Sequence, residues 1–188
     1  MSNHITTYLD NLHTAIQELP IADIEKVAEV IHQAYLRGSQ IFVMGNGGSA
    51  ATASHFACDL GKGTVTPGKK RFRVISLNDN IPLLTAYAND IGYENIFAEQ
   101  LINLVEPLDV AIMITASGNS PNVLKAARCA KEHGAITVGF IGFGGGKLKN
   151  MVDHHITISS RDYGNVEDIH LILEHAISAY FRERLKQE

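Results

Sequence analysis

The sequence predicts an α/β fold: a parallel sheet with helices on both faces, preceded by a helical hairpin. Three observations predict it. Five short apolar runs read as buried strands, helical segments separate those runs, and the first 36 residues carry helical periodicity alone. One domain is expected over residues 1–188, with N-terminal helices over 1–37 and an α/β core over 38–188. A chain of 188 residues is long enough to bury such a core without disulfides or a metal staple.

The elements follow in order. Leu9, Leu12, Ile16 and Leu19 recur at helical spacing, then Ile24, Val27, Val30 and Ile31 do so after Pro20, which divides the stretch 5–36 into two helices. Arg37-Gly38 supplies a C-terminal cation and a terminating glycine. The period then changes. Apolar runs at 41–44, 72–76, 110–115, 135–140 and 155–159 read as strands buried on both faces. Helices are expected over 49–60, 81–88, 94–104, 121–133 and about 166–186.

Composition excludes several classes of function. Hydrophobic residues make up 45% and charged residues 19%, which is globular. The net charge of −4 gives no sequence-wide basic field for nucleic acid. The densest basic stretch, Lys69, Lys70, Arg71 and Arg73, reads as a solvated loop edge. No segment approaches the ~18 apolar residues a membrane span needs, and the first 19 residues lack a signal-peptide core. Cys58 and Cys129 form no paired motif and read as core thiols. A cytoplasmic location is expected.

Two loops carry the chemistry. The first strand runs into Gly45-Asn46-Gly47-Gly48-Ser49 and then a helix. The third ends in Thr115-Ala116-Ser117-Gly118-Asn119-Ser120, with Pro121 opening the next helix. Glycines admit close backbone approach, and a helix start offers unpaired N–H groups to an anion. Neither loop is a GxGxxG fingerprint or a P-loop. Taken singly, the first is equally a tight turn with a capping serine. The pair, both at strand carboxyl ends, favours a phosphate cradle. A third glycine cluster, Gly142 to Gly146 except Phe143, is either a loop that closes over a ligand or, the favoured reading, a flexible surface loop.

Acid, base and metal candidates lie on two helices. His55 and Asp59 share a helix face one turn below the first loop. The last helix carries Glu167, Asp168, His170, Glu174 and His175, either an exposed polar face or an acid/base or metal set. Glu167 and His175 stand about 80° apart on an ideal helix. His154 and His155 read as core or loop histidines, and His4, His13, His32 and His133 as incidental.

Gly45 to Ser49, Ser117 to Ser120, Asn89-Asp90, and Glu167 to His170 with His175 together resemble the SIS (sugar isomerase) family, and within it the phosphoheptose isomerases. The resemblance covers nearly the whole chain. It implies a doubly wound five-stranded parallel sheet, the SIS fold, assembled as a homotetramer with sites between subunits. It implies an isomerase that interconverts a ketose phosphate and an aldose phosphate, with sedoheptulose 7-phosphate as ketose. It places phosphate against Ser49, Thr115, Ser117 and Ser120, with Gly47, Gly48 and Asn119 in the same turns and Asn46 and Asp90 near the sugar. It implies zinc held by His55, Asp59, Glu167 and His175, with Asp59, Glu167 and His175 as the catalytic groups. The chain departs from the family pattern: Asp59 replaces a glutamate, Glu167 a glutamine, Lys62-Gly63 stands where an arginine is expected, and Gly164 where an acid is. A non-catalytic phosphosugar- or protein-binding module is the competing reading. The charged set at 59, 167 and 175, which a scaffold does not need, favours the enzyme.

Overall fold

The structure is a computed structural model and describes residues 2–187. Helices α1 (Ser2–Gln17) and α2 (Ile21–Arg37) meet at Pro20, as the proline predicts. Gly38 ends α2 in the left-handed region, φ 78°, and its N–H donates to the carbonyls of Ala34 and Tyr35. The basic stretch is more than a solvated edge. Lys70 Nζ donates to the Leu36 carbonyl at 2.6 Å and Arg73 to that of Gly38 at 3.0 Å, so two of its cations sit where the helix dipole is negative.

Strands β1 (Gln40–Gly45), β2 (Arg73–Ser76), β3 (Val110–Thr115), β4 (Ile136–Ile141) and β5 (His154–Thr157) form one parallel sheet in the order β2-β1-β3-β4-β5. Ile41 pairs with Val110 and Val110 with Ile136, which keeps the carboxyl ends of the central strands level. All six residues of β3 are buried, which is why the sequence shows a continuous apolar run there and not an alternating one.

The alternating faces of the strands feed two cores. Ile41, Val43, Ile112 and Ile114 pack with α2, with α3 (Gly48–Cys58) and with α7 (Tyr163–Gln187). Phe42, Met44, Ala111 and Met113 pack with α5 (Ala98–Leu104) and α6 (Pro121–Glu132). Before α5 lie α4 (Ile81–Ile91) and a 3-10 turn, Tyr93–Asn95. The helix expected over 94–104 is thus interrupted, and Ile96 and Phe97 at the break are fully buried in the second core. Past its end α3 widens into a π turn, Asp59–Gly63, a distortion that recurs at functional sites.

Two residue readings are corrected. Cys58 is exposed on α3, and only Cys129 is a core thiol. His32 is not incidental: it is 2% exposed and stacks between the rings of Tyr35 and Phe181.

Candidate active site

The strand order places a topological switch point between β1 and β3. The chain leaves β1 for a helix on one face of the sheet and leaves β3 for a helix on the other, so a crevice opens at their carboxyl ends. Both serine-bearing turns lie there. Gly45 cannot carry a side chain, since a Cβ would stand 2.7 Å from that of Ser49 and 2.8 Å from the Ile114 carbonyl. Asn78 brackets the same residue, accepting from its N–H at 3.2 Å and donating to its carbonyl at 2.9 Å. The Gly47 carbonyl accepts from the N–H groups of Ala50 and Ala51. The N–H groups of Gly48 and Ser49, ahead of the first helical bond, remain for a ligand.

The two turns are tied together. Asn46 and Asn122 exchange side-chain hydrogen bonds at 2.9 and 2.8 Å, and the Tyr93 hydroxyl donates to Asn46 Oδ1 at 2.9 Å. Asn46, expected near the sugar, is therefore a brace between the first turn and the start of α6. In the second turn, Gly118 N–H donates to Thr115 Oγ1 at 3.3 Å and Asn119 N–H to Ser117 Oγ at 3.2 Å. Both hydroxyls accept, so each keeps a proton to donate. Ser120 makes no side-chain cap bond to α6. The Asn119 side chain is engaged by Lys147 N–H and the Ser117 carbonyl.

The third glycine cluster is not a free surface loop. Leu148 N–H donates to the Gly118 carbonyl at 3.0 Å, and a Cβ on Gly118 would stand 2.2 Å from the Gly145 carbonyl. The cluster buttresses the second turn from behind.

The acid and base groups fall into two sets. His55, Asp59, Glu174 and His175 each present one ligand atom, all within 4.8 Å of one another. The rings of His55 and His175 meet edge to face at 4.9 Å, His55 Nε2 lies 3.9 Å from Asp59 Oδ1, and His175 Nε2 lies 3.3 Å from Glu174 Oε2. Glu174 is 0% exposed and neither of its oxygens has a hydrogen-bond donor. Burial and the Asp59 carboxylate push its carboxyl up to about 7. Two imidazoles and two carboxylates suit zinc by donor chemistry, and a cation would satisfy a buried carboxylate that accepts no well-directed hydrogen bond.

Glu167 is elsewhere. Its carboxylate lies against Gly48, so close that a Cβ there would be 2.3 Å from Oε2, at the N-terminus of α3. The helices α3 and α7 thus run side by side, with Glu167 beside Gly48 and His175 beside His55. Of the four residues expected to share a metal, the structure gathers His55, Asp59 and His175 and substitutes Glu174 for Glu167. Asp168 accepts from the Tyr8 hydroxyl at 2.5 Å, pinning α1 on α7, and this carboxylate pushes the phenol up to about 12. The absence of an acid at Gly164 has a steric reason: a Cβ there would stand 2.8 Å from the same hydroxyl. Asp90 is exposed at the end of α4, where its carboxylate accepts from the side chain of its neighbour Asn89 at 2.8 Å.

Fold and site together define a doubly wound α/β protein with two serine-bearing turns at the strand carboxyl ends and imidazoles and carboxylates along the adjoining helix. Residues 6–142 match the SIS domain, and the chain belongs to that family. It is 36% identical to phosphoheptose isomerase 1 of Campylobacter jejuni over 85% of this chain and 86% of that one. It is 36% identical to a probable phosphoheptose isomerase of Thermoplasma acidophilum, over 94% and 97% respectively. The structure of the phosphoheptose isomerase of Neisseria gonorrhoeae superposes with a TM-score of 0.90 at 26% identity, covering 97% of this chain and 98% of that one.

Two residues of the site escape the sequence, and a third, Glu174, is named there among the last helix's acids but not placed with the zinc set. Asn122 and Tyr93 join Asn46 across 76 and 47 positions, a relation no local pattern reveals. Glu174 had a signal: it lies on the apolar stripe of α7, between Leu173 and Ile177 and four residues after His170.

Proposed function

We propose that this chain is an aldose–ketose isomerase of sugar phosphates, converting sedoheptulose 7-phosphate into a heptose 7-phosphate. The observation that carries the reading is the placement of two serine turns at the sheet's switch point, at the head of the helix whose later turn bears His55 and Asp59. Relatives named as phosphoheptose isomerases over most of the chain support the same activity.

The phosphate is held by the second turn and the start of α6, where the hydroxyls of Thr115 and Ser117 keep protons to donate, Ser120 makes no cap bond, and the helix dipole is positive. No lysine or arginine is needed for this, since hydroxyl and N–H donors suffice. From there the sugar runs along α3. Gly48 and Ala51 are exposed on the face that leads to His55, and their small size keeps that track open. Seven residues of helix, about 10 Å, separate Gly48 from His55, so the chain must be fully extended to reach. Glu167, over Gly48, accepts from a sugar hydroxyl on the way.

The reaction moves a proton between adjacent carbons. Asp59 takes it from C1 of the ketose and returns it to C2, while the hydroxyl proton passes from O1 to O2. Anchoring the phosphate turns binding energy into orientation of the reacting end. Zinc is the metal this reading assigns to the cluster, held by His55, His175 and its carboxylates; when bound it supplies Lewis acidity to the substrate carbonyl. The assembly proposed is a homotetramer with sites between subunits. Exposed apolar residues at Ile81 and on α1 at Ile5 support it, as does the openness of the track in one chain.

The test is a panel of ketose phosphates followed by NMR for the aldose product. The parent protein is expected to turn over sedoheptulose 7-phosphate, and His175→Ala to lose turnover while keeping its circular dichroism. No aldose from any member of the panel would leave a binding module.

A further inference from the structure

We infer that Glu174, and not Glu167, supplies the buried carboxylate that completes the metal-binding set with His55 and His175 in this chain. The inference rests on the zinc reading above and goes beyond it in naming the ligand.

Four observations carry it. Glu174 is wholly buried, yet both its oxygens lack a donor. A buried carboxylate that accepts no well-directed hydrogen bond, with only the half-exposed His175 ring at 3.3 Å to offset its charge, is costly, and an apolar residue would suit the stripe of Leu173, Ile177 and Phe181 better. The oxygens are not aimed at random: they enter a group of ligand atoms within 4.8 Å that holds two imidazoles and a second carboxylate. Bringing two carboxylates together without a cation adds repulsion to desolvation, and a divalent cation relieves both.

The third observation is distance. Ligands about 2.1 Å from a tetrahedral zinc stand roughly 3.4 Å apart. The pairs His175–Glu174 at 3.3 Å and His55–Asp59 at 3.9 Å are already near that spacing. The fourth is that Glu167 is accounted for. Its carboxylate lies against Gly48 at the first turn, and eight residues of helix, about 12 Å of rise, separate it from His175. Glu174 adjoins His175 and reaches the cluster without unwinding.

The experiment measures zinc affinity of the full chain, stripped of metal, by competition with a chromogenic chelator. Outer partners of a metal ligand already cost 10–100-fold in affinity when removed, so Glu174→Gln is expected to weaken zinc binding by about 100-fold or more. Glu167→Gln should leave it unchanged. Cobalt loading gives a second readout: the visible d–d bands should shift in Glu174→Gln and stay in place in Glu167→Gln. Glu174→Leu fills the buried position with an apolar chain of similar size and carries the same expectation if the glutamine variant folds poorly. If the parent binds zinc and the Glu174 variants bind it as tightly, or Glu167→Gln alone loses it, the assignment is overturned while the isomerase reading stands. A parent that binds no zinc overturns both the assignment and the metal site.

Discussion

Ser117 shows how one side chain is made ready by its own backbone. Its Oγ accepts from the Asn119 N–H, which uses a lone pair and leaves the hydroxyl proton free to donate. Asn119 in turn holds the Ser117 carbonyl and is itself held by the Lys147 N–H, so the turn is braced before any ligand arrives. A hydrogen bond to a charged group contributes ~1.5–3 kcal/mol. Ser117→Ala is therefore expected to raise KM for a phosphorylated sugar by about ten- to a hundredfold with a smaller effect on kcat. Steady-state kinetics check this, and unchanged KM would show that the second turn does not hold phosphate. The same reasoning explains what a residue-by-residue reading recovers. Hydroxyls and glycines in a turn announce their chemistry by type, whereas the roles of Asn46 and Asn122 are fixed by a pairing across 76 positions that only the folded sheet creates.

At the scale of an element, α7 does two jobs with one sequence. Its stripe of Val166, Ile169, Leu173, Ile177 and Phe181 covers the sheet, and within that stripe sit His170 and Glu174. His170 is 0% exposed, has no partner on either ring nitrogen, and packs near Phe140. Burial lowers it to about 3, so the folded state holds it neutral while the unfolded chain protonates it near 6.5. Because the unfolded state then binds more protons, this contribution is complete above about pH 6.5 and is lost as pH falls toward 3. At pH 5 the loss is about 2 kcal/mol. His170→Leu should flatten that part of the profile, read from urea midpoints at pH 7.5 and 5; an unchanged acid slope would refute it. The element also marks where sequence reading stops. The central strands β1, β3 and β4 are legible to within a residue because parallel strands buried on both faces are simply apolar; the edge strands β2 and β5 are not buried on both faces as expected, since each has a neighbour on one side only and is partly exposed. The expected helix over 166–186 corresponds to α7, but which of its acids is buried depends on how α3 packs beside it. Periodicity put Glu174 on the apolar face, while the charge of the residue argued for the exposed one.

At the scale of the molecule, the apolar surface left over has to be explained. α4 buries none of its residues, although Ile81, Leu83, Leu84 and Ile91 make it an apolar helix, and Ile81 is 59% exposed. A cleft of about 810 Å³ runs between α3, the edge strand β2 and α4, past Leu77, Pro82 and Leu83, and shares no residue with the His/carboxylate cluster. On α1, Ile5 and Leu9 are 68% and 56% exposed. Surfaces of this kind, spread over two helices and a cleft, are what subunit contacts cover. Asp90, which the family resemblance puts near the sugar, stands exposed at the end of that same α4, so a contact there would bring one subunit's α4 to its neighbour's open track. The parent is expected to run in light scattering as four 20.5 kDa chains. Burying an isoleucine is worth ~1.5–3 kcal/mol, and an aspartate in its place adds the desolvation of a charge. Ile81→Asp is therefore expected to weaken assembly by at least about tenfold and to lower turnover in step with the dissociated fraction. It is expected to leave the chain's own fold intact, because Ile81 is 59% exposed and belongs to neither core. A parent that runs as a single chain with full turnover would refute both the assembly and the shared site.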